Sequence, residues 1–228
     1  MKIRQIRFPD QGKDRVAEIV KRSNSKPTGK FPSWKMGRMM QWESVSHLCA
    51  FRLLDCDPLV QSFAERPLEI VYEYEGVIQI ERPDILVVIN GQKELWKIAR
   101  ELECKNWLKG LNMLSEELLF HGYFLKTVSS DDMGSDPRLK NAVTILKFGR
   151  REISPEEREQ ARCLFLARPA GVLWSEILGG IAGPSSKNVM CRLVLEGVVH
   201  VDQVKLWCGS TLFTWADSRD ERIGSISL

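Results

Sequence analysis

The sequence predicts an α/β chain: a mixed sheet flanked by helices, followed by a small α+β domain. Three observations lead there. The unbroken apolar run Ile85-Leu86-Val87-Val88-Ile89 has the character of a strand covered on both faces. After it, Trp107, Leu111, Leu114 and Leu118 form a helical stripe that stops at His121-Gly122 and gives way to a strand, Tyr123 to Val128. Further on, Ser154-Pro155-Glu156-Glu157 opens a new run of helices, with Ser154 as N-cap, Pro155 at the first helical position and Glu157 three residues after the cap.

Taken in order, Trp42 to Leu54 reads as a helix that stops before Asp57-Pro58. Glu43, His47, Ala50 and Leu54 share one side of it. Leu68 to Tyr74 alternates with period two, turns at Glu75-Gly76 and returns through Val77 to Ile80 as a hairpin. Asn90-Gly91, just after the apolar run, is a strong two-residue hairpin signal. The returning strand is expected over Leu95 to Lys105, with Trp96, Ile98, Leu102 and Cys104 on one face and Lys97, Glu101, Glu103 and Lys105 on the other. Beyond 150 the expected helices are Ser154 to Ala167, Val172 to Gly179 and Ser185 to Glu196. The expected strands are Val198 to Val201 and Lys205 to Trp215. Three helices and a two-stranded ribbon describe a winged helix.

A chain of 228 residues holds one large or two small domains. No run is long enough to span a membrane, and the N-terminus has no apolar signal region. Six cysteines without a C-x-x-C pair argue against zinc and against a disulfide framework, and for reduced thiols in a cytoplasmic protein. The net charge of +3 hides an asymmetry. Residues 1–40 hold eleven Lys and Arg against three acids, residues 41–150 thirteen against seventeen, and residues 151–228 nine against ten. The expected organisation is a basic N-terminal arm (1–40), able to lie along a phosphate backbone, a central domain (41–150) and a C-terminal domain (151–228). The second helix of the winged helix offers Lys187, Asn188 and Arg192 against Glu196 in a slightly acidic domain. Such a domain suits protein docking better than autonomous DNA binding, with Trp207 or Trp215 as possible anchors.

The chemistry-bearing pattern is Asp84, in Arg82-Pro83-Asp84-Ile85, followed by Leu102-Glu103-Cys104-Lys105. If the two segments are adjacent strands, Asp84 and Glu103 converge with the Lys105 ammonium. Two carboxylates hold a hard cation, and the lysine orients or deprotonates a water, which is how a magnesium nuclease is built. Glu101 shares the face of Glu103, and Glu94 with Lys97 is a competing motif.

The order of these elements, with Asp and Glu-x-Lys on central strands, resembles the PD-(D/E)xK nucleases and their restriction-endonuclease-like fold. Upstream, Trp42-Glu43-Ser44, Leu53 to Val60, Phe63-Ala64-Glu65-Arg66-Pro67 and Ile70-Val71-Tyr72 with Gly76 look like the N-terminal domain of the transposon-end endonuclease TnsA. The resemblance spans about residues 30–135. It implies a Mg²⁺-dependent DNA endonuclease, with Mn²⁺ able to substitute, that cuts the 5′ strands at transposon ends. The implied partners are double-stranded DNA, a DDE-type TnsB-like transposase and an AAA+ TnsC-like ATPase that meets the C-terminal domain. It also implies a prokaryotic cytosol. The implied site is Glu43, Asp84, Glu103 and Lys105, with Asp84, Glu103 and Glu43 as metal ligands. Where the family has Glu-Ser-x-x-Glu, this sequence has Glu43-Ser44 followed by His47. Glu43 is therefore expected to supply the helix acid, one turn from His47. His47 is either a polar group added to the site or a core histidine. A stand-alone restriction or repair nuclease and a non-catalytic DNA-binding assembly protein are the alternatives.

Overall fold

A computed structural model of the chain describes residues 1–20, 27–99, 101–135 and 137–216. It is a mixed α/β structure with several sheets, divided into two compact units: residues 1–55 with 59–134, and residues 56–58 with 135–228.

The first unit opens with three strands, β1 (Lys2–Arg7), β2 (Gly29–Ser33) and β3 (Arg38–Trp42). Then come helix α1 (Val45–Cys56), strands β4 (Val60–Glu65), β5 (Glu69–Tyr74), β6 (Val77–Glu81), β7 (Ile85–Ile89) and β8 (Gln92–Ala99), helix α2 (Glu101–Leu119), strand β9 (Tyr123–Ser129) and the short helix α3 (Ser130–Ser135). β4, β7, β8 and β9 form one sheet in that order. Its first three strands run antiparallel, and β9 lies parallel to β8 after the α2 crossover. β1, β5 and β6 form a second sheet, and β2 pairs with β3. Both short hairpin turns use two residues at positive φ, Glu75-Gly76 and Asn90-Gly91, the geometry that matches strand twist. Leu68, Ile70, Leu95, Leu114, Leu118 and Tyr123 form a buried core cluster. Phe31, Phe51 and Phe63 stack in series at 6.1 and 5.8 Å.

Two expectations are corrected here. Among the described residues of 1–40, 2–7, 29–33 and 38–40 lie in β1, β2 and β3, so these parts of the expected basic arm are strand. Arg15 and Arg38 neutralise Glu65, which is only 1% exposed, at 3.0 and 2.7 Å. The Gln41 N–H adds a third donor to that carboxylate. Lys35 Nζ donates to the Val60 carbonyl at 2.6 Å. Lys21, Arg22 and Lys26 lie outside the described residues. Second, the strand expected over 95–105 ends at Ala99, and Glu101–Leu119 is helix. The stripe of Leu111, Leu114 and Leu118 recruits the preceding turns into the same helix, although Leu102 and Cys104 also fit a period of two.

The second unit contains α4 (Pro137–Gly149), α5 (Pro155–Ala167), β10 (Val172–Leu173), α6 (Trp174–Leu178), α7 (Ser186–Leu195), β11 (Val199–Val201) and β12 (Leu212–Trp215). Its strands form an antiparallel sheet in the order β10-β12-β11. Helix α4 has no counterpart among the expected elements. It packs on α7 and belongs to this unit, which runs from Ser135, ahead of the boundary expected at 150/151. Gly149 permits the packing, since a Cβ there would sit 2.6 Å from the Cys191 carbonyl oxygen. α5 carries the expected capping box between Ser154 and Glu157. Val172-Leu173 is strand rather than the start of a helix, and the ribbon strand is confined to 212–215. Trp207 packs edge-on to Phe213 at 5.0 Å and lies 5.1 Å from Trp174, while Trp215 packs on Phe165 at 5.5 Å. Both tryptophans therefore contribute to this unit's own packing.

Candidate functional site

The site grows from one buried acid. Asp84 sits just before β7, and its backbone is tied on both sides. Its N–H donates to Trp96 O on β8 at 2.8 Å, and its carbonyl accepts the Arg66 N–H, just past β4, at 3.0 Å. The side chain is 5% exposed. Oδ2 accepts the Ile98 N–H at 2.7 Å, so the carboxylate closes a further rung across β7 and β8. Oδ1 is left to face three cationic or ionisable groups: His47 Nε2 at 3.6 Å, Arg66 Nη1 at 3.6 Å and Lys97 Nζ at 4.0 Å. Burial by itself would push this carboxyl up. His47 and Lys97 beside it and the bond from the Ile98 N–H outweigh it, and the carboxyl is held below its ordinary range.

The start of α1 brings the next two groups: the helix begins at Val45, later than the Trp42 expected, so His47 lies in its first turn and Glu43 just ahead of it. Ser44 precedes the helix, and its Oγ accepts the His47 N–H at 3.2 Å, satisfying one of the donors that a helix start leaves open. The same hydroxyl lies 2.6 Å from His47 Nδ1. That contact fixes the ring so that Nε2 is the nitrogen that faces Asp84. Glu43, one turn earlier, places Oε1 3.9 Å from His47 Nε2 and pairs with Arg66 Nη2. Glu43, His47 and Asp84 each offer a ligand atom, and these lie within 4.8 Å of one another. Two donors about 2 Å from one cation are separated by at most about 4 Å, and the 3.6 and 3.9 Å spacings from His47 to Asp84 and to Glu43 fall within that reach. The two carboxylates suit Mg²⁺ or Mn²⁺, and the imidazole inclines the set toward Mn²⁺ over Mg²⁺.

Lys97 completes the constellation from β8. Its ammonium pairs with Glu81 Oε1 at 2.8 Å and also reaches the Arg82 carbonyl at 3.3 Å. Glu81 is itself 9% exposed and accepts the Arg82 N–H. A positive charge beside Asp84 is thereby held in place by a second carboxylate.

Of the residues expected from sequence, Asp84 and Glu43 come together, with His47 between them. Glu103 and Lys105 stand on α2, where residues two apart do not share a face, so the strand argument that joined them no longer applies. Their side chains lie outside the described residues. The lysine that does stand beside Asp84 is Lys97, and hairpin arithmetic locates it. Counting outward from Asn90-Gly91 pairs Ile89 with Gln92 and Ile85 with Trp96, which leaves Asp84 facing Lys97. Arg66 belongs to the Phe63-to-Pro67 segment, but no periodicity points its side chain at Asp84. Among the other acids of that stretch, Asp55 is structural. It is fully buried and accepts from Ser33 Oγ and from the N–H groups of Trp34 and Lys35 at the turn between β2 and β3.

No family model and no curated protein matches this chain. Among the described residues, no helix is long and apolar enough to cross a membrane.

Proposed function

We propose that the chain is a metal-dependent DNA endonuclease of the TnsA type, with Glu43, His47, Asp84 and Lys97 at its centre. The observation that carries this reading is the buried Asp84 carboxylate, flanked by Lys97 on the adjoining strand, by Glu43 just ahead of α1 and by His47 in its first turn. The four-stranded sheet, three strands antiparallel and a fourth parallel after a helical crossover, supports a restriction-endonuclease-like fold. The helices and small antiparallel sheet of the second unit support a winged-helix-like domain. Within it, Asn188 Nδ2 donates to the Phe148 carbonyl, Lys187 lies over the Phe148 ring and Arg192 pairs with Glu196. With its polar residues so engaged, α7 suits docking of a protein better than reading of DNA. TnsB-like and TnsC-like partners follow from the resemblance.

Glu43 and Asp84, with His47, would hold the ion. A divalent ion held there would supply charge stabilisation for the oxygens of an in-line displacement and would acidify a water. Asp84 is oriented for this by its bond from Ile98 N–H, which fixes the carboxylate plane. Ser44 fixes the His47 ring, and the Lys97 ammonium adds positive charge where negative charge builds on the phosphate oxygens.

The test is single-turnover cleavage of a transposon-end duplex with Mg²⁺ or Mn²⁺, with and without the transposase and ATPase. Asp84→Asn is expected to abolish 5′-strand cutting, and Glu43→Gln to cost more than His47→Ala. Undiminished cutting by folded Asp84→Asn protein would reject the site. Metal-dependent cutting without partners would favour a stand-alone nuclease, and no cutting under any condition an assembly protein.

A further inference from the structure

Arg66 occupies an unusual position. It lies just past the end of β4 with φ at +45°, in the left-handed region that a long side chain seldom adopts. Its backbone is held there at both ends, by its N–H to Asp84 O at 3.0 Å and by its carbonyl to the Val16 N–H at 3.0 Å. The conformation sends its side chain into the acid cluster. Nη2 pairs with Glu43, Nη1 stands 3.6 Å from Asp84 Oδ1, and Nη1 also donates to the Arg82 carbonyl at 3.2 Å. The guanidinium is thus set against the same two carboxylates that a divalent ion would need.

Charge sharpens the point. Among the described residues, three carboxylates, Glu43, Asp84 and Glu81, face the side-chain cations Arg66 and Lys97. Lys97 pairs with Glu81, which is not a ligand of the ion, so it stays balanced when a metal arrives. Arg66 does not, because its partners are the metal's ligands. A divalent ion and a guanidinium cannot both take those oxygens without strong like-charge repulsion at close range. Displaced, the guanidinium fork remains tethered to the rim of the site, and its natural partner is an oxyanion.

Resting on the metal-nuclease reading above, we propose that Arg66 is the resident counter-cation of the site: a divalent ion displaces its guanidinium from Glu43, and the freed fork then grips a phosphate of the bound DNA backbone. Arg66 stabilises the empty acid cluster and becomes a phosphate-binding group once the cluster is filled. The phosphodiester charge then balances the guanidinium that the metal has set free.

The test separates metal binding from cleavage. Mn²⁺ alone is titrated into wild type, Arg66→Met, Arg66→Gly and Asp84→Asn, followed by calorimetry or by the paramagnetic signal of free Mn²⁺. Arg66→Gly accepts the positive φ without strain, so it guards against misfolding of the Met variant. Both Arg66 variants are expected to bind Mn²⁺ about tenfold more tightly than wild type, since a competing unit charge has gone. At saturating Mn²⁺ both are expected to bind and cut duplex DNA less well than wild type. Mn²⁺ affinity that is unchanged or weaker in both Arg66 variants, while Asp84→Asn still abolishes binding, would overturn the counter-cation role and leave the metal site standing. No Mn²⁺ binding in wild type or in either Arg66 variant would overturn both.

Discussion

Replacing Asp84 by Asn in metal-free protein tests the electrostatics of the site without relying on any reaction. Asn keeps the size and can still accept the Ile98 N–H, which now reaches 2.7 Å to Oδ2. It loses the charge. Exchanging a charged for a neutral acceptor costs about 1 kcal/mol. The attraction to Arg66 at 3.6 Å and Lys97 at 4.0 Å also goes. Neither cation is orphaned, because Arg66 keeps Glu43 and Lys97 keeps Glu81. The loss should therefore fall below the roughly 3–5 kcal/mol of a broken buried pair, and the desolvation cost of the carboxylate is recovered in part. The expected net loss is about 1–2 kcal/mol at pH 7. Its pH dependence has a definite sign. A carboxyl held below its ordinary pKa of 3.8 stabilises the fold above that value, and the contribution is lost as pH falls through the lower folded pKa. The gap between wild type and Asp84→Asn should thus be full at pH 7 and close in strong acid. Urea unfolding with chelator present, at both pH values, measures it. A variant as stable as wild type at pH 7, or a gap indifferent to pH, would refute the account of what surrounds Asp84.

Three further outcomes follow from the same structure. Lys97→Met should lower single-turnover cutting by about 10²-fold or more, as loss of a preorganised charge does, while Lys105→Met should have a smaller effect; the reverse ranking would restore Glu103-x-Lys105 as the working motif. Gly149→Ala should destabilise the second unit by about 1–3 kcal/mol, read as a drop in its melting temperature, because its Cβ would sit 2.6 Å from the Cys191 carbonyl oxygen. Exchanging Lys21, Arg22 and Lys26 for Ala should flatten the salt dependence of duplex binding by about 0.9 in slope for each phosphate these side chains neutralise, and an unchanged slope would remove them from the DNA interface.

What the sequence disclosed, and what it hid, divides along physical lines. Local backbone chemistry was legible. Asn90-Gly91 and Glu75-Gly76 mark turns at positive φ, and Ser154 with Glu157 marks a helix start, because each needs only its own few residues. Asp84 was legible from its place ahead of an apolar strand. The segment 100–105 was not, since Leu102 and Cys104 suit a strand while the leucines downstream extend a helix back over them. α4 stayed hidden because its stripe of Ala142, Ile145 and Leu146 is short and its partner, α7, lies some forty residues on. The first forty residues read as a basic arm because the destination of Arg15 and Arg38, the buried Glu65, is a tertiary fact. Arg66 was hidden for the same reason. Its reach to Glu43 and Asp84 depends on a strained backbone that no periodicity encodes.

Strand β8 is flanked by β7, made just before it, and by β9, which runs parallel to it and comes only after the whole of α2. A growing polypeptide that has not yet reached Tyr123 therefore carries Lys97 on a strand whose β9 neighbour is still to be made, and an unpaired edge can accept a foreign strand. The acid cluster's own residues are synthesised early, but its scaffold is finished late.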